Sequence, residues 1–121
     1  MTPDDLSERL MDFAARIGRV VDALPDTRMG RHIAGQLVRC GTSPAPNYEE
    51  ARAAESRADF IHKLGICLKE LRESGCWIRL GIKTELLPQH LTNDLLNETN
   101  ELCNIIGRSI VTGKENRETN K

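Results

Sequence analysis

The sequence predicts an all-α fold, an antiparallel up-down-up-down four-helix bundle whose second helix is kinked or broken near Pro44. Four long segments carry apolar residues at spacings of three and four, the pattern of helices with one buried side. Aromatic residues make up only 3% of the chain, so the core must be built mainly from aliphatic side chains. Short connections favour antiparallel neighbours within one domain, residues 1–113, followed by a tail at 114–121.

The first predicted helix begins near the first residue of the sequence. Thr2 can cap it, Pro3 suits its first turn, and Asp4 and Asp5 face the positive end of the helix dipole. Pro25 ends it, because proline disfavours a helical conformation in the residue before it. The predicted buried stripe comprises Leu6, Leu10, Phe13, Ile17, Val20 and Leu24.

The second predicted helix follows Asp26 or Thr27, either of which can serve as its N-cap. Its apolar side comprises Met29, Ile33, Leu37 and Cys40. Local rules stop this helix at Gly41 and restart it at Pro44, with Ser43 as the new cap. We therefore predict a break or a sharp kink in this region and not a long loop.

Two further amphipathic segments complete the predicted bundle. Ser56 and Asp59 have the spacing of a capping box at the start of the third helix, which we expect to end between Ile82 and Glu85. Its main stripe comprises Phe60, Leu64, Cys67, Leu71 and Ile78. Pro88 fits the first turn of the fourth helix. The predicted inner face of that helix comprises Leu91, Leu95, Leu102, Ile105 and Ser109.

The sequence changes character after Gly113, which is a natural helix terminator. Residues 114–121 include no apolar side chain that could anchor them to a core. We therefore predict that this tail is disordered.

Composition and charge exclude several classes of function. The formal net charge is −1, so attraction of the whole surface to nucleic acid is not expected, although a local basic stripe remains open. No apolar run is long enough to cross a membrane, and the first residues lack the pattern of a signal peptide. The cysteines show no C-x-x-C spacing, so we predict a cytoplasmic protein with reduced thiols.

Patterns of catalysis and metal binding are also missing from the sequence. No Glu-x-x-His motif occurs, and His32, His62 and His90 fall in different segments, so we predict no metal site and no other cofactor. No serine stands beside a histidine–carboxylate pattern, and there is no glycine-rich phosphate loop. We therefore predict no catalytic residues and no enzymatic activity.

A series of short motifs between Phe13 and Ile110 is similar to a known bacterial pattern. The motifs are Leu24-Pro25, Gln36–Arg39 leading into Thr42-Ser43, Pro46–Ala51, Ser56, Asp59–Ile61, Lys63-Leu64, Leu68–Glu70 and Trp77. In this order they resemble the four-helix-bundle family of 23S rRNA-intervening sequence proteins. The chain departs from the commoner pattern by an additional proline, Pro44, and by its order of alanine, proline and asparagine at 45–47.

This resemblance implies a bundle whose second helix continues past the proline segment, and it implies a homopentameric ring. Some relatives are encoded within insertions in large-subunit ribosomal RNA genes. Others are accessory proteins of diversity-generating retroelements, in which a pentameric barrel contacts a reverse transcriptase and nucleic acid. The resemblance implies no enzymatic activity. The implied partners are other copies of the chain and a reverse transcriptase, RNA or DNA, with no membrane.

Basic residues on one side of the second helix form a candidate nucleic-acid-binding surface. Arg28, His32 and Arg39 fall opposite the apolar stripe at about 100° per residue, with Arg31 beside them. Contacts from these residues to phosphates would make binding dependent on salt. The plainer alternative is a solvated helix face, since no aromatic residue is interleaved for base stacking.

Asn47, Glu50 and Glu70 are the polar residues nearest the predicted inner faces. A buried amide or carboxylate can fix helix register and oligomeric state, so our preferred interpretation is a structural polar layer. The alternative is a contact with a ligand or a partner.

Several apolar residues lie off the narrowest core stripes and are candidates for an oligomer interface. They are Val38, Ile61, Trp77, Leu80 and Leu96. Exposed apolar patches usually mark interfaces, and a closed ring would cover them by repeating one heterologous contact. The alternative is a wider core stripe within one bundle.

Together these observations predict a non-enzymatic, oligomeric scaffold or adaptor that acts in a complex containing RNA or a reverse transcriptase. A first alternative is a direct nucleic-acid-binding protein that uses the basic side of the second helix. A second alternative is a small helical ligand-binding protein or enzyme with its site near Asn47, Glu50 and Glu70.

Overall fold

The computed structural model describes residues 1–119, which form helical segments and no strand. The segments are α1 (Pro3–Ala23), α2 (Arg28–Thr42), α3 (Pro44–Arg52), α4 (Arg57–Lys83) and α5 (Gln89–Thr119). Only Ser43 separates α2 from α3, and its φ of −70° and ψ of −36° are helical. The two segments therefore form one kinked helix, and the predicted all-α four-helix fold is confirmed.

The kink follows from two prolines that lack a backbone N–H. Pro44 and Pro46 cannot donate to the carbonyls four residues earlier, so two helical hydrogen bonds are lost in this turn. The helix nevertheless resumes at once, because the Asn47 N–H donates to the Ser43 carbonyl at 3.1 Å. The predicted restart at Pro44 with Ser43 at the N-cap position is confirmed, but the Ser43 side chain makes no capping bond, and α2 runs through Thr42, one residue beyond the predicted stop at Gly41.

The N-terminal caps follow the sequence closely. Thr2 Oγ1 accepts from the Asp5 N–H at 3.1 Å, and the Asp5 carboxylate accepts from the Thr2 N–H at 2.9 Å. Thr27 is the cap of α2, since its hydroxyl accepts from the Gly30 N–H at 3.0 Å. Ser56 accepts from the N–H of the residue three positions on, which is one of the two bonds of the predicted capping box.

Each helix packs against its neighbours along the chain. The contacts of α1 are with α2, α3 and α5, and those of α4 are with α2, α3 and α5. Within residues 1–119, α1 does not approach α4, and neither α2 nor α3 approaches α5, so these pairs lie on the diagonals of the bundle. The largest fully buried apolar side chains are Leu10, Phe13, Ile17, Ile33, Leu37, Leu64, Leu71, Ile78, Leu95, Leu102 and Ile106.

The inner face of α5 differs from the prediction. Leu91 is 68% exposed, and the half-buried Ile105 and Ser109 lie at the edge of the face. Leu95 and Leu102 are buried as predicted, and the other buried residues of α5 are Thr92, Thr99, Ile106 and Gly113. The threonine hydroxyls donate to carbonyls of their own helix, at 2.9 Å for Thr92 and 2.8 Å for Thr99, so their burial leaves no unpaired donor.

The C-terminal part of α5 also differs from the prediction. Gly113 does not end the helix; it is buried, and a Cβ there would lie 3.2 Å from a side-chain carbon of Ile61 on α4. α5 continues to Thr119, so the predicted disordered tail is helical from Lys114 to that residue. Residues 120–121 of the predicted tail lie outside the described residues.

Candidate interaction surfaces

The predicted basic stripe of α2 is exposed, but part of its charge is already paired. Arg28, Arg31, His32 and Arg39 all lie on the outer side of the helix. The Arg39 guanidinium donates to Glu70 at 3.1 Å and also to Glu73 on α4. Arg31 pairs with Asp26 at 2.8 Å. Arg39 therefore joins α2 to α4, and its charge is already neutralised by two carboxylates of the same chain.

His32 contributes to the same contact between α2 and α4. Its ring packs edge-on against the Trp77 ring, with centroids 5.4 Å apart and planes at 81°. The Trp77 indole N–H donates to Glu73 at 3.0 Å, and Glu73 also accepts from Arg39. These side chains link the two helices through one connected set of contacts. Of the stripe, Arg28 and Arg31 take no part in this set.

The predicted polar layer is dispersed over three separate contacts. Asn47 is half-buried and bonds within its own kinked helix. Glu50 is 58% exposed at its side chain and pairs with Lys63 at 3.1 Å, so it does not belong to an inner layer. Glu70 is mostly covered and pairs with Arg39. No hydrogen bond joins any two of the three among the described residues.

The predicted apolar interface residues are largely absorbed by the bundle. Trp77 and Leu96 are half-buried against the core, and Ile61 and Leu80 are half-buried as well. Val38 alone of the five is exposed, at 41%. Parts of four half-buried side chains and about two fifths of Val38 therefore remain available on the surface.

Sequence reasoning missed an ion-pair cluster between α1 and α5. Arg9 donates to both carboxylate oxygens of Glu98, at 2.7 and 2.6 Å, and also to Glu101. The hydrogen bond with Glu98 raises the pKa of Arg9 above its ordinary value, against the opposing effect of burial. No local pattern could reveal this contact, because its partners are about 90 residues apart.

Sequence reasoning also missed the outer face of α4, which is basic. Lys69, Arg72, Arg79 and Lys83 are all exposed on it. Arg72 and Arg79 line a groove of about 540 Å³ between α4 and α5. Successive residues of this set are three, seven and four positions apart. This spacing places them on one side of a helix, and it was the signal available in the sequence.

The arrangement of five helical segments and the residues that join them has a counterpart in one known family. The sequence model for the 23S rRNA-intervening sequence protein matches residues 5–108. The chain belongs to this family. A protein with unknown function from the S23 ribosomal protein family of Bacteroides thetaiotaomicron has a similar crystal structure, with a TM-score of 0.84 and 33% identity. The match covers 91% of this chain and 98% of that chain. No curated protein matches this chain.

Several titratable side chains of this member of the 23S rRNA-intervening sequence protein family are buried or held in ion pairs. Among residues 1–119, no group of three or more His, Cys, Asp and Glu side chains could hold a metal ion. Burial raises the pKa of the Cys67 thiol to about 12 and also raises the pKa of Cys40, so neither thiol is a ready nucleophile. No helix in the described range is long and apolar enough to span a bilayer.

Proposed function

We propose that this protein is a non-enzymatic scaffold that assembles with copies of itself into a homopentamer and acts in a complex containing RNA or a reverse transcriptase. The observation that carries the proposal is a set of large apolar side chains left exposed by a bundle whose core is complete without them. They are Met11, Met29, Val38, Leu91 and Val111. Another copy of the chain would cover such side chains by repeating one contact.

The ring form is supported by the family and by the placement of these side chains. They lie on α1, α2 and α5, which are different sides of one bundle. A contact between two different sides is heterologous, and it closes into a ring when the rotation between copies allows. Five copies are what the resemblance to the 23S rRNA-intervening sequence proteins implies.

The second alternative, a ligand or catalytic site at Asn47, Glu50 and Glu70, has less support. Their side chains bond to different partners and do not converge on one cavity. A scaffold needs no convergent set of this kind, whereas an enzyme does. The separation of these residues therefore favours the scaffold.

Light scattering coupled to size-exclusion chromatography tests the assembly directly. We expect a particle of about 68 kDa at micromolar concentration, since five chains of 13.6 kDa close one ring. Val38→Asp with Leu91→Asp should shift the particle toward the mass of one chain while helical circular dichroism is retained. Asn93→Asp with Asn97→Asp, which adds the same two charges at other exposed positions of α5, should leave the particle unchanged.

A wild-type protein that stays monomeric at micromolar concentration would overturn the scaffold proposal.

Co-expression with a reverse transcriptase encoded beside the gene tests the complex. We expect the reverse transcriptase to elute together with the wild-type pentamer. When the Val38→Asp, Leu91→Asp variant is expressed in place of the wild-type protein, the reverse transcriptase should elute alone. Elution of the enzyme without the wild-type pentamer would remove this role.

A further inference from the structure

The outer face of α4 carries one row of exposed residues along nearly the whole helix. The row consists of His62, Gly65, Lys69, Arg72, Cys76, Arg79 and Lys83. Successive members are three or four positions apart, so they lie above one another on one side of the helix. No acidic residue occurs in the row, and we call it the α4 basic face.

The cations of this face are unpaired, unlike those of α2. Among residues 1–116, whose side chains the structure describes, Lys69, Arg72, Arg79 and Lys83 take part in no ion pair. Glu70 and Glu73 of α4 point away from this face, since both are held by Arg39 of α2, and the remaining carboxylate of α4, Asp59, lies one turn before His62. The whole chain has a net charge of −1, so its charge is segregated and this face is locally positive.

A groove beside this face adds amide groups to the cations. Arg72 and Arg79 form one wall of the groove of about 540 Å³, and Asn100 and Asn104 of α5 form the other. At its floor a Cβ on Gly75 would lie 3.5 Å from a Thr99 methyl carbon, so the helices pack closely there.

The asparagines belong to a second exposed row on α5. This row consists of Asn93, Asn97, Asn100 and Asn104, again at spacings of four and three. Arginine, lysine and asparagine side chains are common donors to phosphate oxygens in complexes with nucleic acids. Arginine in particular can bind two phosphate oxygens at once.

We propose that the α4 basic face and the adjoining asparagines bind the sugar-phosphate backbone of a nucleic-acid duplex. From His62 to Lys83 the face is about 31 Å long at 1.5 Å per residue, close to the length of one duplex turn, about 34 Å. The row contains no phenylalanine, tyrosine or tryptophan, and its one imidazole, His62, lies at its end, so it offers no extended platform for the stacked bases of a single strand. The proposal does not rest on self-assembly, since both walls of the groove belong to one chain.

Fluorescence anisotropy with duplex probes of random sequence tests the binding. Double-stranded RNA and double-stranded DNA are separate arms that identify the source of the backbone, and a single strand of the same length should bind more weakly. If four cations each neutralise one phosphate, the logarithm of the binding constant should fall with the logarithm of salt with a slope of about −3.6.

Matched double variants locate the surface. Arg72→Ala with Arg79→Ala should weaken duplex binding about ten-fold or more and make the salt slope shallower by about 1.8. Arg28→Ala with Arg31→Ala removes the same charge from α2 and should leave both quantities nearly unchanged. The proposal would be overturned if the Arg72→Ala, Arg79→Ala variant bound duplex as tightly as the wild-type protein. It would also be overturned if only the Arg28→Ala, Arg31→Ala variant lost affinity for duplex.

Cys76 gives an independent readout, because it is exposed in the row between Arg72 and Arg79. Cys40 and Cys67 are buried and should not react with maleimide in the folded protein. We expect duplex, but not an equal charge concentration of polyglutamate, to slow alkylation of Cys76, followed by peptide mass spectrometry. Slow alkylation of the free assembled protein would instead make the face a contact between copies. Equal protection by polyglutamate would make its partner an acidic polypeptide, and either result would overturn the proposal.

Discussion

At the residue scale, two glycines of α2 have opposite surroundings. A Cβ on Gly41 would lie 2.7 Å from both Cγ atoms of Ile17, which is fully buried on α1. Because isoleucine is branched at Cβ, its side chain has few conformations in a helix and cannot easily turn away. A Cβ on Gly35 would have no atom within 4 Å. The close approach of α1 and α2 therefore requires glycine at position 41 and not at position 35.

Alanine at these positions should have effects of opposite sign. We expect Gly41→Ala to lower the free energy of unfolding by about 1–2 kcal/mol, since the cost of overpacking exceeds the gain in helix propensity. Gly35→Ala should raise it by up to about 1 kcal/mol. Urea denaturation at one fixed protein concentration measures both, and an unchanged midpoint for Gly41→Ala would show that α1 can move away without cost.

At the element scale, α4 ends in a Schellman motif with an unusual residue. The Glu85 N–H donates to the Ile82 carbonyl, and the Leu86 N–H donates to the Gly81 carbonyl, each at 3.0 Å. Glu85 occupies the left-handed position with a φ of 60°, and it is the one residue other than glycine with positive φ in residues 1–119. A side chain at that position strains the backbone, which is why glycine is common there.

Glycine at position 85 should therefore stabilise the protein. We expect Glu85→Gly to raise the free energy of unfolding by about 1 kcal/mol, since relief of the left-handed strain exceeds the entropic cost of glycine. Lys83→Gly, in the last turn of α4, is the matched control and should lower the free energy by up to about 1 kcal/mol. Thermal unfolding of the two variants compares them, and a destabilised Glu85→Gly protein would show that the carboxylate has a role of its own.

The elements show where prediction from sequence succeeds and where it stops. The end of α4 lies inside the predicted interval, because the apolar repeat fades and Pro88 follows. The cap itself could not be predicted, since neither glycine nor asparagine stands at Glu85. On α5 the predicted inner face included Leu95 and Leu102 but missed the buried Thr92 and Thr99. Thr92 and Thr99 can be buried because each hydroxyl is satisfied within its own helix.

Candidate surfaces were harder to predict than helices. Helical spacing correctly placed Arg28 and Arg39 on the outer side of α2, but it carries no information about α4 carboxylates more than 30 residues away. The pairing of Arg39 with Glu70 therefore became visible only when the helices were packed together. Glu50 was predicted to be one of the polar residues nearest the inner faces, and it pairs with Lys63 at the surface instead.

At the scale of the whole molecule, the bundle closes where its first helix meets its last. α1 and α5 are far apart in sequence, and no short connection holds them together. Arg9 bridges them by donating to Glu98 and Glu101. Its side chain is 28% exposed and that of Glu98 is 16% exposed, so water screens this pair less than a pair on the open surface. The Arg9 cluster therefore helps to hold the two ends of the chain in one bundle.

Removal of Arg9 should loosen this closure, and the effect should depend on salt. We expect Arg9→Ala to lower the free energy of unfolding by about 1–2 kcal/mol, because Glu98 loses its partner while remaining largely covered. Arg52→Ala is the control: its partner Asp4 is 87% exposed, so the loss should stay within about 0.5 kcal/mol. The difference between wild type and Arg9→Ala should shrink in high salt, and amide hydrogen exchange should rise in α1 before α4. If the two variants were equally stable, packing alone would hold α1 against α5 and the ion pairs would contribute nothing to closure.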